Sequence, residues 1–217
     1  MKLSDNQLKN KIVLVTGASR GIGKSASMMY ASLGAKVILL GRDLKSLEQV
    51  YDEIIKLKYS EPMISLMDLE KADANDYQEL YDNMMNEFGK LDGLLLNASI
   101  LGDRSPIAHY DSETWVRTLH VNVTTQFLLT KTLLPVLYES DSASVIFLLS
   151  SDMSQTYFSI NSSGCFNFIS SSYGYASFLI FVLVAPGLIQ LNRIVDWSSC
   201  SALKICDNAS TPNFETE

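Results

Sequence analysis

Positive charge and cysteine are both scarce in this 217-residue sequence, and each shortage excludes a class of function. The 17 lysines and arginines are outnumbered by 24 aspartates and glutamates, which gives a net charge of −7. A nucleic-acid partner is not expected, because phosphate neutralisation needs a basic face. Cys165, Cys200 and Cys206 are odd in number and all lie late in the chain. They favour neither a disulfide framework nor a metal site.

The N-terminal residues MKLSDNQLKNK are polar and lack an apolar run of signal-peptide length. We therefore expect a reducing, cytoplasmic location and no membrane partner. Residues 174–191 leave a membrane alternative open, because they contain no charged side chain and approach the minimum length of a span. Pro186 and Gly187 interrupt that stretch, and Ser177 and Gln190 make it more polar.

Charge is also missing from most of the last third of the chain. All but two of the 17 lysines and arginines precede residue 150, and no residue from Met153 to Asn192 is charged. The overall composition, 47% apolar and 19% charged, is still that of a folded globular protein. We expect one nucleotide-binding domain over residues 1–217, in which residues 1–151 and 152–217 differ in character.

The first 150 residues alternate between short apolar runs and amphipathic stretches. Strands are predicted at 12–16, 36–40, 62–67, 93–96 and 144–149, and helices at 24–34, 43–57, 72–88 and 112–138. Strands separated by such helices form parallel sheets through right-handed crossovers. The pattern predicts an α/β fold with three layers (α/β/α), a doubly wound parallel sheet of Rossmann type, and leaves its C-terminal completion open.

A glycine-rich segment, TGASRGIG, follows the first predicted strand and leads into the first helix. Glycines let the backbone turn tightly beside a pyrophosphate, and a helix N-terminus offers free N–H groups. The strand–turn–helix context makes a simple turn the weaker alternative. The segment predicts a dinucleotide site formed by Gly17, Ser19, Arg20, Gly21, Ile22 and Gly23.

Arg42 bears on the choice of dinucleotide, because it follows the second strand in the loop that faces the adenosine ribose. Arginine forms charge-assisted hydrogen bonds with a 2′-phosphate, whereas an acidic residue would accept one from a 2′-hydroxyl. With Arg20 nearby, the sequence favours NADP(H), and NAD(H) remains possible. The alternative is a surface ion pair between Arg42 and Asp43.

The segment VTGASRGIG resembles the signature of the short-chain dehydrogenase/reductase family, classical type, and the resemblance extends to about residue 151. It implies an oxidoreductase that interconverts a small-molecule carbonyl and alcohol by hydride transfer with NAD(P). It also implies a homo-oligomer. By the same resemblance, Asp68 and Leu69 contact the adenine, and Asn97, Ala98 and Ser99 stand where the family usually has Asn-Ala-Gly.

Two further residues match catalytic positions of the family. Asn122 matches the asparagine that holds a proton-relay water, and Ser151 matches the serine that hydrogen-bonds the substrate carbonyl. Structural alternatives stay open for three of the matched residues. Asp68 can cap a turn, Asn97 can tie neighbouring strands together, and Asn122 can bond a backbone carbonyl.

The family's Tyr-x-x-x-Lys pair, expected about a dozen residues after Ser151, is missing. In the family the tyrosine transfers the proton and the lysine lowers its pKa. Beyond Lys131 the only lysine is Lys204, and Cys200 stands four residues before it. The serine- and glycine-rich stretches 162–164 and 170–174 are also poor helix material. The family's interface helix belongs in this region, so the implied oligomer is in doubt.

Three interpretations of residues 152–217 remain open. They are a shifted reading frame or altered splice, a non-catalytic nucleotide-binding or scaffolding relative, and a tyrosine that works without lysine. Residues 178–190 are typical of a buried strand followed by a Pro-Gly turn. The preferred function is an NADP(H)-preferring oxidoreductase of impaired activity, in which Ser151 orients the carbonyl and Asn122 supports the proton relay.

Overall fold

A computed structural model describes residues 7–149 and four later strands at 157–160, 166–169, 177–184 and 194–196. Five adjacent strands of its main sheet are parallel, in the order β3-β2-β1-β4-β5, with β3 at one edge. They are β1 (Ile12–Thr16), β2 (Lys36–Gly41), β3 (Met63–Leu66), β4 (Gly93–Leu96) and β5 (Ser144–Leu149). The predicted doubly wound parallel sheet is confirmed for these strands.

Helices cover both faces of this sheet, because the strands are apolar on both sides. They are α1 (Gly21–Ser32), α2 (Leu44–Lys56), α3 (Ala74–Phe88), α4 (Ser112–Leu119) and α5 (Thr125–Tyr138). In β1, Val13 and Val15 pack in the cluster that contains α1 and α2, whereas Ile12 and Leu14 pack in the cluster that contains α3 and α5. The alternation gives the three layers predicted from the sequence.

One turn of π-helix, His120–Thr124, joins α4 to α5, so that the chain is helical from Ser112 to Tyr138 as predicted. The sequence did not predict the π-helical turn. At the other predicted boundaries the differences are small, except that α1 begins at Gly21 rather than Lys24. Gly34, with φ of 92°, terminates that helix as expected.

Two later strands extend the sheet beyond β5 by antiparallel pairing. β8 (Ser177–Val184) pairs antiparallel with β5, and β9 (Ile194–Asp196) pairs antiparallel with β8. A separate antiparallel pair is formed by β6 (Tyr157–Ile160) and β7 (Phe166–Ile169). The strand predicted in 178–190 therefore exists, but the sheet stops being parallel at β5.

The membrane alternative concerned residues 174–191, which contain β8. Among the residues that the structure describes, no helix combines the length and the hydropathy needed to cross a bilayer.

Candidate functional site

A cleft of about 660 Å³ opens at the carboxyl ends of β1 to β4. The strand order reverses between β1 and β4, and such a reversal is where open α/β sheets bind their ligands. The cleft is lined by every residue predicted to bind the cofactor except Gly23, namely Gly17, Ser19, Arg20, Gly21, Ile22, Arg42, Asp68, Leu69, Asn97, Ala98 and Ser99. The fold thus brings together residues from four separate loops.

The glycine loop has the backbone that a close ligand approach requires. Gly17 and Gly21 have φ values of 64° and 55°, in the left-handed region that favours glycine. A Cβ on Gly23 would lie 2.2 Å from the carbonyl oxygen of Gly17, so the loop packs directly against the first turn of α1. A Cβ on Gly21 would meet nothing within 4 Å, which shows open space beside the loop.

The N-terminus of α1 borders this space, because Arg20, Gly21 and Ile22 all line the cleft. Arg20, the N-cap residue, makes no side-chain hydrogen bond to the helix. The first N–H groups of a helix have no intrahelical acceptor, and they carry a partial positive charge. Together with the open space at Gly21, they can accommodate a pyrophosphate.

Asn97 fastens the end of β4 to the glycine loop. Its Nδ2 donates to the carbonyl oxygens of Thr16, at 3.0 Å, and Gly17, at 3.3 Å. The hydroxyl oxygen of Thr16 accepts from the backbone N–H groups of Asn97 and Ala98, both at 2.9 Å. The side chain of Asn97 therefore has the strand-tying role that was the structural alternative, at a position that also lines the cleft.

Asn122 lies in the π-helical turn and holds the loop after β4. Its Oδ1 accepts from the Ile100 N–H at 2.8 Å, and its Nδ2 donates to the Ile100 carbonyl oxygen at 2.9 Å. Both the oxygen and the nitrogen of the side-chain amide are thus hydrogen-bonded to the backbone of Ile100. This contact includes the backbone carbonyl that was the structural alternative, and Ile100 itself lines the cleft.

Asp68, Leu69 and Ser99 all line the cleft but differ in their contacts and burial. Asp68 accepts from the backbone N–H of Glu70 at 3.2 Å and lies 3.7 Å from Lys71 Nζ, so it does cap the turn after β3. Leu69 is buried, and it belongs to the core cluster on the α3 side. Ser99 is exposed and lines the cleft.

Arg42 lines the cleft, and its ion-pair partner is Glu70 rather than Asp43. The Nη1 of Arg42 lies 3.6 Å from Oε2 of Glu70. The Asp43 carboxylate instead accepts a hydrogen bond from the Ser46 hydroxyl. That hydrogen bond lowers the pKa of Asp43 below its ordinary value.

Sequence reasoning missed two charged residues of this cleft, Glu70 and Arg117. Arg117 lies on α4, and its Nε is 3.6 Å from Oε1 of Glu70. No local motif marks either residue.

Ser151 lies outside the residues that the structure describes, as do Tyr173 and Tyr175. Tyr157 begins β6. The site described above therefore consists of the cleft and Asn122.

The chain matches the family model of the short chain dehydrogenases over residues 11–165. It is 41% identical, over 144 residues, to an oxidoreductase of Escherichia coli K12 named YciK and described as uncharacterized. That match covers 66% of this chain and 57% of YciK. A short chain dehydrogenase structure from Salmonella enterica serovar Typhi is 38% identical, with a TM-score of 0.65, and covers 67% of this chain and 60% of that one.

A further solved structure, from Escherichia coli CFT073, is assigned to the short chain dehydrogenases and is complexed with NADPH. It is 41% identical, with a TM-score of 0.64, over 65% of this chain and 59% of that chain. In each of these three comparisons the chain spans less than two thirds of the similar protein's length.

Proposed function

The chain belongs to the short-chain dehydrogenase family, and on this basis we propose that it is an oxidoreductase that prefers NADP(H). It would interconvert the carbonyl and alcohol forms of a small molecule by hydride transfer. The observation that carries the proposal is the cleft itself, in which the glycine loop, the start of α1 and Arg42 line one cavity of about 660 Å³.

The cofactor fits the residues that are present. The open space beside Gly21 and the free N–H groups at the start of α1 would hold the pyrophosphate. Asp68 and Leu69 would border the adenine, and Ala98 and Ser99 would border the nicotinamide ribose. When bound, the nicotinamide supplies or accepts the hydride.

The preference for NADP(H) is supported by the positions of Arg42 and Arg20. Both line the cleft, and Arg42 comes directly after β2, where the adenosine ribose binds in this fold class. A guanidinium group at that point favours a 2′-phosphate through charge-assisted hydrogen bonds. The similar structure from Escherichia coli CFT073 with its NADPH agrees with this proposal.

Asn122 and Ser151 carry the proposed catalytic roles. Ser151 would hydrogen-bond the substrate carbonyl. Asn122 would support the proton relay by fixing the Ile100 backbone, because both ends of its amide are already bonded there. In this arrangement the side chain of Asn122 positions Ile100, which lines the cleft.

The second candidate function is nucleotide binding without catalysis. It is favoured by one observation, the absence of a Tyr-x-x-x-Lys pair after Ser151. Both candidates predict nucleotide binding, and only the first predicts substrate turnover.

Fluorescence titration of the full chain with NADPH and NADH tests the shared part of the proposal. We expect NADPH to bind about ten- to hundredfold more tightly, the range of a charge-assisted contact. Equal affinities for the two nucleotides would contradict the NADP(H) preference. Absence of binding by either nucleotide would contradict both candidate functions.

A further inference from the structure

Three charged side chains meet at the end of the cleft formed by the loops after β2 and β3. Glu70 lies between Arg42, which follows β2, and Arg117 on α4, and all three line the cleft. Its Oε2 is 3.6 Å from Nη1 of Arg42, and its Oε1 is 3.6 Å from Nε of Arg117. One carboxylate is therefore shared between two guanidinium groups.

These contacts are ion pairs without direct hydrogen bonds. A charge-assisted N–H···O bond joins atoms about 2.7–2.9 Å apart, and both contacts here measure 3.6 Å. The side chains of Arg42 and Arg117 are 59% and 55% exposed, whereas that of Glu70 is 27% exposed. The carboxylate is the more enclosed member, and the two guanidinium groups keep donors for a ligand.

The charges on the described wall of the cleft cancel. Its charged residues are Arg20, Arg42, Arg117, Asp43, Asp68 and Glu70. The carboxylate of Asp43 accepts a hydrogen bond from the Ser46 hydroxyl, and the carboxylate of Asp68 forms an ion pair with Lys71. Glu70 differs from both, because its partners are the arginines of the cleft itself. It therefore offsets the positive potential that an anionic ligand would use.

We propose that Glu70 sets how strongly this cleft prefers a 2′-phosphate over a 2′-hydroxyl, and that Arg117 acts with Arg42 in binding that phosphate. This inference rests on the proposed nucleotide-binding function. A phosphate dianion placed between the arginines is attracted by both guanidinium groups and repelled by the carboxylate. An uncharged 2′-hydroxyl interacts only weakly with the guanidinium groups and with the carboxylate. Removing the carboxylate charge therefore strengthens phosphate binding selectively.

The test uses two nucleotide fragments that lack the nicotinamide and differ only in the 2′-phosphate. They are adenosine 2′,5′-bisphosphate and adenosine 5′-monophosphate, and calorimetry measures the binding of each to the full chain. Glu70→Gln keeps the size of the side chain and removes its charge. We expect it to bind the bisphosphate about tenfold more tightly than the unmodified chain, with little change for the monophosphate.

Three further variants make the result specific. Arg117→Gln weakens bisphosphate binding by about fivefold or more. Glu70→Asp keeps the charge and stays near the unmodified affinity. Glu87→Gln is the matched control, because it makes the same change of charge at an exposed residue of α3 that pairs with Lys36 at 3.7 Å.

Ionic strength separates an electrostatic effect from a packing effect. The gain in Glu70→Gln shrinks as salt is raised to about 0.5 M, because screening weakens interactions between exposed charges. A bisphosphate affinity that is unchanged in Glu70→Gln, or raised equally in Glu87→Gln, overturns the inference. So does failure of every variant to bind the bisphosphate. Fragment binding as expected without NADPH-dependent turnover contradicts the proposed catalysis alone.

Discussion

Arg42 contributes to the cleft more than to the fold, because its side chain is 59% exposed and its ion pair with Glu70 measures 3.6 Å. We expect Arg42→Ala to reduce the preference for NADPH over NADH by about ten- to hundredfold, which corresponds to a charge-assisted contact of about 1.5–3 kcal/mol. Fluorescence titration with both nucleotides measures the change.

The matched control for Arg42 is Lys45→Ala, which removes a nearby positive charge from the surface of α2. Lys45 is exposed and does not line the cleft. The same loss of preference in both variants would mean that net charge, and not a contact at Arg42, determines the choice of nucleotide.

Asp92 is a buried charge at the opposite end of the sheet, next to the start of β4. Its side chain is 2% exposed and pairs with Lys11 at 3.0 Å and Lys90 at 3.2 Å. It also accepts hydrogen bonds from the Ser140 hydroxyl at 2.6 Å and the Ile12 N–H at 3.0 Å. The carboxylate therefore connects β1, the loop before β4 and the end of α5.

Asp92→Asn should destabilise the protein by about 2–4 kcal/mol at neutral pH, because it removes a partnered buried charge. Burial acts to raise the pKa of Asp92, but the hydrogen bonds from Ser140, Lys11 and Ile12 outweigh it and leave the pKa lowered. A lowered pKa stabilises the fold above the unfolded value of about 3.9, and this stability is lost as the pH falls through the folded pKa.

Denaturant unfolding of Asp92→Asn and the unmodified chain between about pH 7 and pH 3 checks this sign. The difference in unfolding free energy should be largest at neutral pH and should shrink below about pH 4. Asp82→Asn is the control, since that exposed carboxylate on α3 is bonded to Gln78. A pH-independent difference would contradict the electrostatic explanation.

At the scale of elements, the junction between β1 and α1 is the most constrained backbone of the cleft. The 2.2 Å approach of a Gly23 Cβ to the Gly17 carbonyl oxygen leaves no room for a side chain. We expect Gly23→Ala to push the start of α1 away from the loop, with a loss of about 1–3 kcal/mol in stability. We also expect nucleotide binding to weaken by at least about tenfold, because the free N–H groups are displaced.

Thermal unfolding and NADPH titration measure the two effects of Gly23→Ala. Ser25→Ala, at an exposed position of the same helix, is the matched control and should change neither quantity. Normal nucleotide affinity in Gly23→Ala would show that the helix N-terminus does not hold the pyrophosphate.

The sequence predicted the elements best where local patterns decide them. The bounds predicted for β4 and β5 agree with the structure, because both are short apolar runs between clear loops. The π-helical turn at His120–Thr124 was not predicted, because side-chain periodicity does not distinguish one wider turn from a continuous α-helix. Yet this turn carries Asn122, which fixes the wall of the cleft.

The residues of the candidate site also divide into those that local patterns predicted and those that they did not. Gly17, Gly21 and Arg42 were predicted because each stands at a fixed distance from a recognisable strand. Glu70 and Arg117 were not, because they meet only after α4 has packed beside the loop that follows β3. A contact between residues so far apart in the chain leaves no spacing in the sequence to recognise.

At the scale of the whole molecule, the strand pairing changes from parallel to antiparallel within the region that lacks charged side chains, Met153–Asn192. β1 to β5 are parallel, and β8, which lies in this region, pairs antiparallel with β5. The match to the family model ends at residue 165, also within that region. Among the residues that the structure describes, those that line the cleft all precede this region. The proposed nucleotide site and the expected position of the Tyr-x-x-x-Lys pair therefore lie in different parts of the chain.

This separation leads to the prediction that the 217-residue chain binds NADPH but turns over carbonyl substrates slowly. A tyrosine with an ordinary pKa near 10 is a poor proton-transfer group at neutral pH, and no charged residue lies between Met153 and Asn192 to lower that value. A positioned proton-transfer group contributes about 10²–10⁴-fold, so we expect turnover at least about a hundredfold below that of a relative with the Tyr-x-x-x-Lys pair. NADPH oxidation at 340 nm with aldehydes, ketones and quinones measures it, with Ser151→Ala as the control. Fast turnover that disappears in Ser151→Ala would contradict the prediction, because it would mean that a tyrosine in this region transfers the proton without a lysine.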